Sequence, residues 1–193
     1  MKKVISGIIG ISLLMILFSG YITLNKKETD NIQMEKAYFA SGCFWGTEYH
    51  FMKAPGVIST TVGYMGGHTT APTYKEVCTG TTGHVEVVEV VFDPEITSFE
   101  NMLRLYYETH DFEQVGGQGP DIGSQYQSVI FYANDRQKQM VEKYIKILTD
   151  KGYKVATQLR PAPEFWEAED YHQEYYDKKN GIPYCHAYRK VFD

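Results

Sequence analysis

The apolar positions downstream of residue 35 switch repeatedly between strand and helix patterns. Residues 84–92 (HVEVVEVVF) are rich in β-branched side chains and predict a strand that ends before Asp93-Pro94. Shorter apolar runs predict strands at residues 37–40, 57–64, 127–132 and 153–159. Apolar residues at helical spacing predict helices over 43–52, after Thr97, after Asn134 and over 166–178. The pattern therefore predicts a single mixed α/β domain of strand–helix–strand units.

Polar residues mark the predicted helix ends and loops. Thr97 followed by Glu100 predicts a capping box, and Asn134 predicts the N-cap of a long helix that Gly152 ends. Residues 65–83 and 112–125 are rich in glycine and predict two long loops, a length of loop that is commonly functional. Residues 180–193 show no periodicity and predict a flexible C-terminal tail.

A separate apolar segment precedes the domain. Residues 4–24 carry no charge and follow Lys2 and Lys3. At about 1.5 Å per residue, a helix of this length spans a bilayer core of about 30 Å. The segment predicts a membrane anchor, with a cleaved export signal as the alternative, although residues 18–20 (FSG) form a poor cleavage site. Both interpretations place the rest of the chain outside the cytoplasm, as a single-pass membrane protein or as a secreted one. Residues 25–34 then form a polar linker, and residues 35–193 form the domain.

Composition narrows the class of protein. The chain has 193 residues, of which 43% are hydrophobic and 22% charged, which is typical of a globular protein. The net charge of −5 argues against a nucleic-acid partner. Aromatic residues reach 15%, which indicates a site or surface that uses rings.

Three cysteines, Cys43, Cys78 and Cys185, carry the most visible chemistry. An odd count without a C-x-x-C pair argues against a thioredoxin-like site and a zinc ribbon. In an exported protein they could form one disulfide and leave one spare thiol. Cys43 follows Gly42 at a predicted helix start, where free backbone N–H groups lower the pKa of a thiol. With the rings of residues 44 and 45 beside it, Cys43 is predicted to be an activated thiol next to an apolar pocket.

Glu86 is the second candidate, because strand alternation places it on one face with Val88, Val90 and Phe92. Partial desolvation of this carboxyl would favour its neutral form and suit it to act as a general acid. The alternative is a solvated carboxylate at the strand end near His84.

Seven short blocks follow one another along the domain: residues 42–48 (GCFWGTE), 63–67 (GYMGG), 72–78 (PTYKEVC), 82–86 (TGHVE), 118–126 (QGPDIGSQY), 168–173 (AEDYHQ) and 184–186 (YCH). Together they resemble the motifs of peptide methionine sulfoxide reductases of the A type. The resemblance covers residues 36–190. It implies an α+β fold, a single two-layer sandwich with a ferredoxin-like mixed sheet, helices and long glycine-rich loops. The N-terminal hydrophobic helix would precede this domain.

The resemblance implies a role for each matching residue. Cys43 would attack the sulfoxide sulfur, and Glu86 would donate a proton to the sulfoxide oxygen. Cys43 would thereby become a sulfenic acid, which Cys185 would resolve as a disulfide. The remaining roles belong to substrate contacts: Tyr74 and Tyr126 would hydrogen-bond the oxygen, Asp121 would orient the site, and Phe44 and Trp45 would hold the methyl group.

The same resemblance implies the partners. The substrate would be the S epimer of methionine sulfoxide, free or in proteins, and the enzyme would repair oxidatively damaged proteins. A thioredoxin-type reductant would regenerate the thiols of a monomeric enzyme, with no metal and no organic cofactor. Two other classes stay open from the residues alone: a thiol peroxidase or disulfide exchange enzyme, and a non-catalytic, aromatic-rich binding domain.

Overall fold

A computed structural model describes residues 33–192 of the chain. Its strands are β1 (Glu35–Ser41), β2 (Val57–Met65), β3 (Val85–Phe92), β4 (Gly117–Gln118), β5 (Asp121–Ile122), β6 (Ser128–Tyr132), β7 (Gln158–Pro161) and β8 (Phe165–Glu167). Its helices are α1 (Phe44–Phe51), α2 (Tyr74–Val77), α3 (Phe99–Glu108), α4 (Asp135–Asp150) and α5 (Tyr175–Lys178), with a 3₁₀ turn at Ser124–Tyr126 before β6.

Six strands form one mixed sheet in the order β7-β6-β1-β3-β2-β8. Strands β6 and β7 pair in parallel, whereas the other neighbours pair antiparallel. In the central part, β6-β1-β3-β2, helix α1 connects β1 to β2 and α3 lies between β3 and β6, which is the order of a split βαβ domain. The prediction of an α+β domain with a mixed sheet is confirmed. Strands β4 and β5 form a separate two-stranded sheet within the second glycine-rich loop.

Strand β3 is buried on both faces and therefore sets the position of Glu86. Val88 and Val90 pack into the larger core cluster, which includes residues of α1, α3 and α4. Val85 and Val87 pack into a smaller cluster on the opposite face of the sheet. Burying one such side chain contributes about 1.5–3 kcal/mol to folding. The register that these valines fix places Glu86 on the face that carries α1.

The helix predicted over residues 166–178 is wrong. Trp166 lies in β8 and pairs with Tyr64 of β2. Further along, the Gln173 side chain accepts a hydrogen bond from the Val62 N–H (2.8 Å) and donates to the Val62 carbonyl (3.0 Å). Glu174 has a φ of 53°, in the left-handed region that interrupts a helix. Hydrogen bonds to the edge of β2 therefore override the helical pattern, and only Tyr175–Lys178 is helical.

Smaller corrections concern one strand and one cap. The strand predicted at 153–159 begins only at Gln158, because the Ala156 N–H donates to the Phe112 carbonyl (2.8 Å) in a loop contact instead. The N-cap of α3 is Ser98 rather than Thr97, since the Ser98 hydroxyl accepts from the backbone N–H three residues later. The predicted N-cap at Asn134 is confirmed.

The predicted hydrophobic helix at residues 4–24 lies outside the described residues, as does most of the predicted linker. Within residues 33–192, no helix has the length and apolar character needed to cross a membrane.

Candidate active site

Cys43 is the N-cap of α1 and is separated from the end of β1 by a single residue. Gly42, which precedes it, has a φ of 98°, a left-handed conformation that side chains rarely adopt. A Cβ at Gly42 would also overlap the side chain of Gln118 in β4. Glycine is therefore required at this turn, which brings β4 against the cysteine and leaves Cys43 itself only 9% exposed.

The environment of Cys43 contradicts the prediction of a lowered pKa. Burial raises the pKa of the Cys43 thiol well above its ordinary value, and the negative charge of Glu86 raises it further. The Trp45 N–H at the helix start lowers the pKa, as predicted, but by less than burial raises it. The free enzyme therefore holds Cys43 as a thiol.

Glu86 lies beside Cys43 and is 1% exposed. Its Oε2 accepts a hydrogen bond from the backbone N–H of Phe44, at 3.0 Å. Burial raises the pKa of Glu86 to about 8, although the Phe44 N–H opposes the shift. The predicted desolvation of this carboxyl is confirmed, and the alternative of a solvated carboxylate is excluded. At neutral pH the side chain is mainly a neutral acid that can donate a proton.

Tyr74 and Tyr126 reach the same site from two loops. Tyr74 begins α2 in the first glycine-rich loop, and its backbone N–H donates to Glu169 Oε1 at 2.9 Å. Tyr126 ends the 3₁₀ turn of the second loop. Burial raises the pKa of both hydroxyls, that of Tyr126 to about 12, and the charge of Glu86 contributes to both shifts. Both hydroxyls therefore stay protonated at physiological pH and are available as hydrogen-bond donors near Glu86.

Asp121 and Cys185 lie on the side of the site formed by β5 and the C-terminal tail. The Tyr184 hydroxyl lies 3.2 Å from each Asp121 carboxylate oxygen, to which it donates. Burial raises the pKa of the Cys185 thiol to about 12, with a further contribution from the negative charge of Asp121. Cys185 and Cys43 are close enough for their charges to interact, and both are free thiols.

Two further residues hold Trp45 of the aromatic pair: His172, for which the sequence predicts a packing or hydrogen-bonding role, and Tyr175. Phe44 is fully buried, whereas Trp45 is half-buried. The Trp45 ring stacks on Tyr175 with centroids 3.7 Å apart, and its Nε1–H donates to His172 Nδ1 at 3.1 Å. These contacts fix the indole before substrate binds. Tyr175 carried no sequence signal, because it lay within the wrongly predicted helix.

The remaining predicted features fall at the edge of the site. Cys78 is exposed and lies beside Tyr74. Of the tail, His186 is 3% exposed and packs against α1, while Phe192 is buried in the main core. No group of His, Cys, Asp and Glu side chains within residues 33–192 has the arrangement of a metal site. All eight predicted site residues lie in or beside this one region.

Residues 35–192 match the family described as peptide methionine sulfoxide reductase. The chain is similar to the peptide methionine sulfoxide reductase MsrA of Methanothermobacter thermautotrophicus, with 49% identity over 147 residues that cover 75% of this chain and 87% of the relative. Among solved structures, methionine sulfoxide reductase A of Corynebacterium diphtheriae has 41% identity and a TM-score of 0.69, and the match covers 79% of this chain and 77% of that one. Reduced Mxr1 from Saccharomyces cerevisiae has 31% identity and a TM-score of 0.76, with 86% of this chain and 97% of the yeast chain covered.

Proposed function

Because this chain belongs to the peptide methionine sulfoxide reductase family and is an oxidoreductase acting on methionine sulfoxide, we propose that it reduces the S epimer with Cys43 as nucleophile. One observation carries the proposal: a buried thiol at the start of α1 lies beside a buried, neutral carboxyl, Glu86. Reduction of a sulfoxide needs both groups, since the oxygen must be protonated before the sulfur becomes a good electrophile.

In the first step, Glu86 donates its proton to the sulfoxide oxygen while the Cys43 sulfur attacks the substrate. The S–O bond of the substrate breaks and an S–O bond to Cys43 forms. The substrate sulfur gains two electrons and the product is methionine, while Cys43 becomes a sulfenic acid. The proton of the Cys43 thiol passes to Glu86 and restores its neutral form. The hydroxyls of Tyr74 and Tyr126 hydrogen-bond the oxygen during transfer, which their protonated state supports.

The substrate's methyl group binds against the aromatic pair. Phe44 and the fixed indole of Trp45 provide an apolar surface next to the sulfur that reacts. Asp121 lies in β5, and its contact with Tyr184 and its charge beside Cys185 support a role in arranging the tail.

In the second step, Cys185 condenses with the sulfenic acid to form a disulfide with Cys43 and release water. A thioredoxin-type dithiol then reduces that disulfide. Yeast Mxr1 has been solved in complex with Trx2, which makes a reductant of this kind the natural one to test. No prosthetic group takes part in any of these steps.

The stereochemical proposal is tested by giving the reduced full-length protein the separate S and R epimers of methionine sulfoxide, with dithiothreitol as reductant. Methionine is expected from the S epimer, with at least about 100-fold less from the R epimer, because each epimer requires its own enzyme class. Equal turnover of both epimers would contradict the stereochemical assignment. No turnover of either would contradict the proposed function itself.

Cys185→Ser is expected to retain one turnover and lose cycling with thioredoxin. The sulfoxide step uses Cys43 and Glu86, whereas Cys185 enters only when the sulfenic acid is resolved. Methionine released per enzyme is measured first without reductant and then with thioredoxin, thioredoxin reductase and NADPH. Cys78→Ser is the matched control, since its thiol is exposed and it should cycle normally. Continued cycling of Cys185→Ser with thioredoxin would remove Cys185 from the mechanism.

The location outside the cytoplasm is also a proposal, which rests on the uncharged segment at residues 4–24. Protease added to intact cells is expected to degrade the domain of an anchored protein. Protection of the domain until the cells are lysed would contradict this location.

A further inference from the structure

His186 occupies a notch at the start of α1, and sequence patterns assigned it no role. The notch exists because residue 46 is glycine: a Cβ there would overlap the imidazole ring. The buried His186 thereby anchors the tail one residue after Cys185. The ring is held from β1 by Ser41 and from α1 by Thr47, whose hydroxyl lies 3.3 Å from Nε2.

The contacts of the ring determine where its proton lies. His186 Nε2 is 2.7 Å from the carbonyl oxygen of Ser41, which can only accept, so Nε2 carries the hydrogen. The ring is neutral, because burial and the neighbouring His110 and His50 lower the pKa of His186 to about 3. Nδ1 therefore presents a lone pair. It lies 3.1 Å from the Cys185 sulfur, where it can accept the thiol hydrogen.

The resolving step needs such an acceptor. With its pKa raised to about 12, Cys185 is a thiol at neutral pH, and its proton must leave as the sulfur attacks. Asp121 also lies beside this thiol and can accept its hydrogen, and the same carboxylate accepts from the Tyr184 hydroxyl at 3.2 Å. Tyr184 is exposed, however, whereas His186 is buried. Of the groups around Cys185, the imidazole has its position fixed on both sides, by Ser41 and by the helix start.

We propose that His186 is the general base that takes the proton of Cys185 as this thiol attacks the sulfenic acid on Cys43. The inference rests on the proposed function and extends its second step. The S–S bond forms as the S–O bond of the sulfenic acid breaks, and the thiol proton passes through Nδ1 to the departing hydroxide, which leaves as water. His186 ends neutral, and no further oxidant or reductant is needed.

The low basicity of the ring is compatible with this role. A thiol proton becomes strongly acidic once its sulfur begins to bond to an electrophile, so a weak base suffices at that moment. A neutral Nδ1 also stays available throughout the physiological pH range, because the ring does not protonate above about pH 3. The titratable groups around this centre are His50, His110, Asp121, Glu86, Tyr176, Tyr184 and the two thiols.

The test compares His186→Gln with the wild-type protein in a single turnover of the S epimer without reductant. This variant keeps part of the ring's contacts, since a glutamine amide can still donate to the Ser41 carbonyl but offers no base at the position of Nδ1. Released methionine reports the first step. Loss of a second thiol, after the one consumed as sulfenic acid, reports the disulfide. His50→Gln is the matched control, because His50 contacts the His186 backbone (3.4 Å) but not Cys185.

We expect His186→Gln to lose the second thiol at least about 100-fold more slowly than the wild-type protein at pH 7. Its rate should rise about tenfold per pH unit from pH 6 to 9, since hydroxide must then generate the Cys185 thiolate. The wild-type protein and His50→Gln should show little change over this range. A merely structural role would not alter the pH profile.

Second-thiol loss in His186→Gln within about threefold of the wild-type rate, with methionine released normally, would overturn the inference and leave the proposed function intact. Absence of methionine from the wild-type protein would instead overturn the proposed function. If His186→Gln does not fold, the wild-type profile decides: a rate of disulfide formation that rises tenfold per pH unit would show that no internal base acts.

Discussion

Cys43→Ser is expected to abolish methionine formation from methionine sulfoxide, with dithiothreitol and with thioredoxin alike. A serine hydroxyl occupies nearly the same volume, so the start of α1 and the hydrogen bond from Phe44 to Glu86 should survive. The oxygen nucleophile cannot, however, take the place of a sulfur that loses two electrons and becomes a sulfenic acid. Methionine released per minute, separated by chromatography, is the measurement.

Cys78→Ser provides the control for this loss. Both variants remove one thiol, but Cys78 is exposed and Cys43 is buried beside Glu86. Cys78→Ser should keep its rate within a few-fold of wild type, because the Cys78 thiol is exposed and lies at the edge of the site. Thermal unfolding of both variants shows whether they fold. A folded Cys43→Ser protein with more than about 1% of wild-type turnover would contradict nucleophilic catalysis by Cys43.

The local environments of Cys43 and Glu86 could be predicted from short sequence patterns. A short strand, a glycine and a helix start place Cys43 at an N-terminus, and alternation along β3 places Glu86 on a buried face. Both rules concern residues adjacent in sequence. The family motifs then joined the two, and the structure brings them to one site through the hydrogen bond from the Phe44 N–H.

The pKa of Cys43 could not be predicted in this way, because it depends on how deeply the turn is buried. The field of a helix terminus contributes about 0.3–1 kcal/mol at an exposed position. Desolvation of a buried charge can shift a pKa by about 3–5 units, and each unit corresponds to about 1.4 kcal/mol. The loop that carries β4 covers Cys43, so desolvation exceeds the helix effect.

The tail and the segment after β8 could not be predicted for a different reason. Gln173 and Glu169 bind residues of β2 and α2 that lie far away in sequence. Similarly, His186 enters a notch at Gly46, which lies near the opposite end of the domain's sequence. Such contacts leave no periodic pattern. The Cys-His neighbour pair at 185–186 was the one local signal of the acceptor beside the proposed resolving thiol.

Glu86→Gln is expected to slow the release of methionine by about 10²- to 10⁴-fold, the usual contribution of general acid catalysis. A glutamine oxygen can still accept from the Phe44 N–H, so the local geometry is retained. The amide, however, has no acidic proton for the sulfoxide oxygen. Single-turnover methionine release, measured by rapid quenching, isolates this step from later disulfide chemistry. An unchanged rate would remove Glu86 from the mechanism.

The pH dependence gives a second signature of the same residue. The pKa of Glu86 lies at about 8, so the acid is present at neutral pH and is lost as the pH rises through 8. Wild-type methionine release should therefore fall above about pH 8. Glu86→Gln should lack this decline, because its amide does not titrate. A structural role for Glu86 would leave the two profiles parallel.

Glu86→Gln should lower activity but raise the free energy of unfolding at pH 8. This combination distinguishes a catalytic carboxyl from one that stabilises the fold. The folded pKa of Glu86 is raised from 4.5 to about 8, so between these values the native state binds more protons than the unfolded state. The contribution of Glu86 to stability should consequently fall as the pH rises from about 4.5 to 8. Glu86→Gln removes that loss, and in urea unfolding it should be more stable than wild type at pH 8, with a smaller difference at pH 5. A variant that unfolds more readily at pH 8 would show that the carboxyl stabilises the fold. A variant that gains stability while losing the first step would show that this buried acid is maintained for its chemistry.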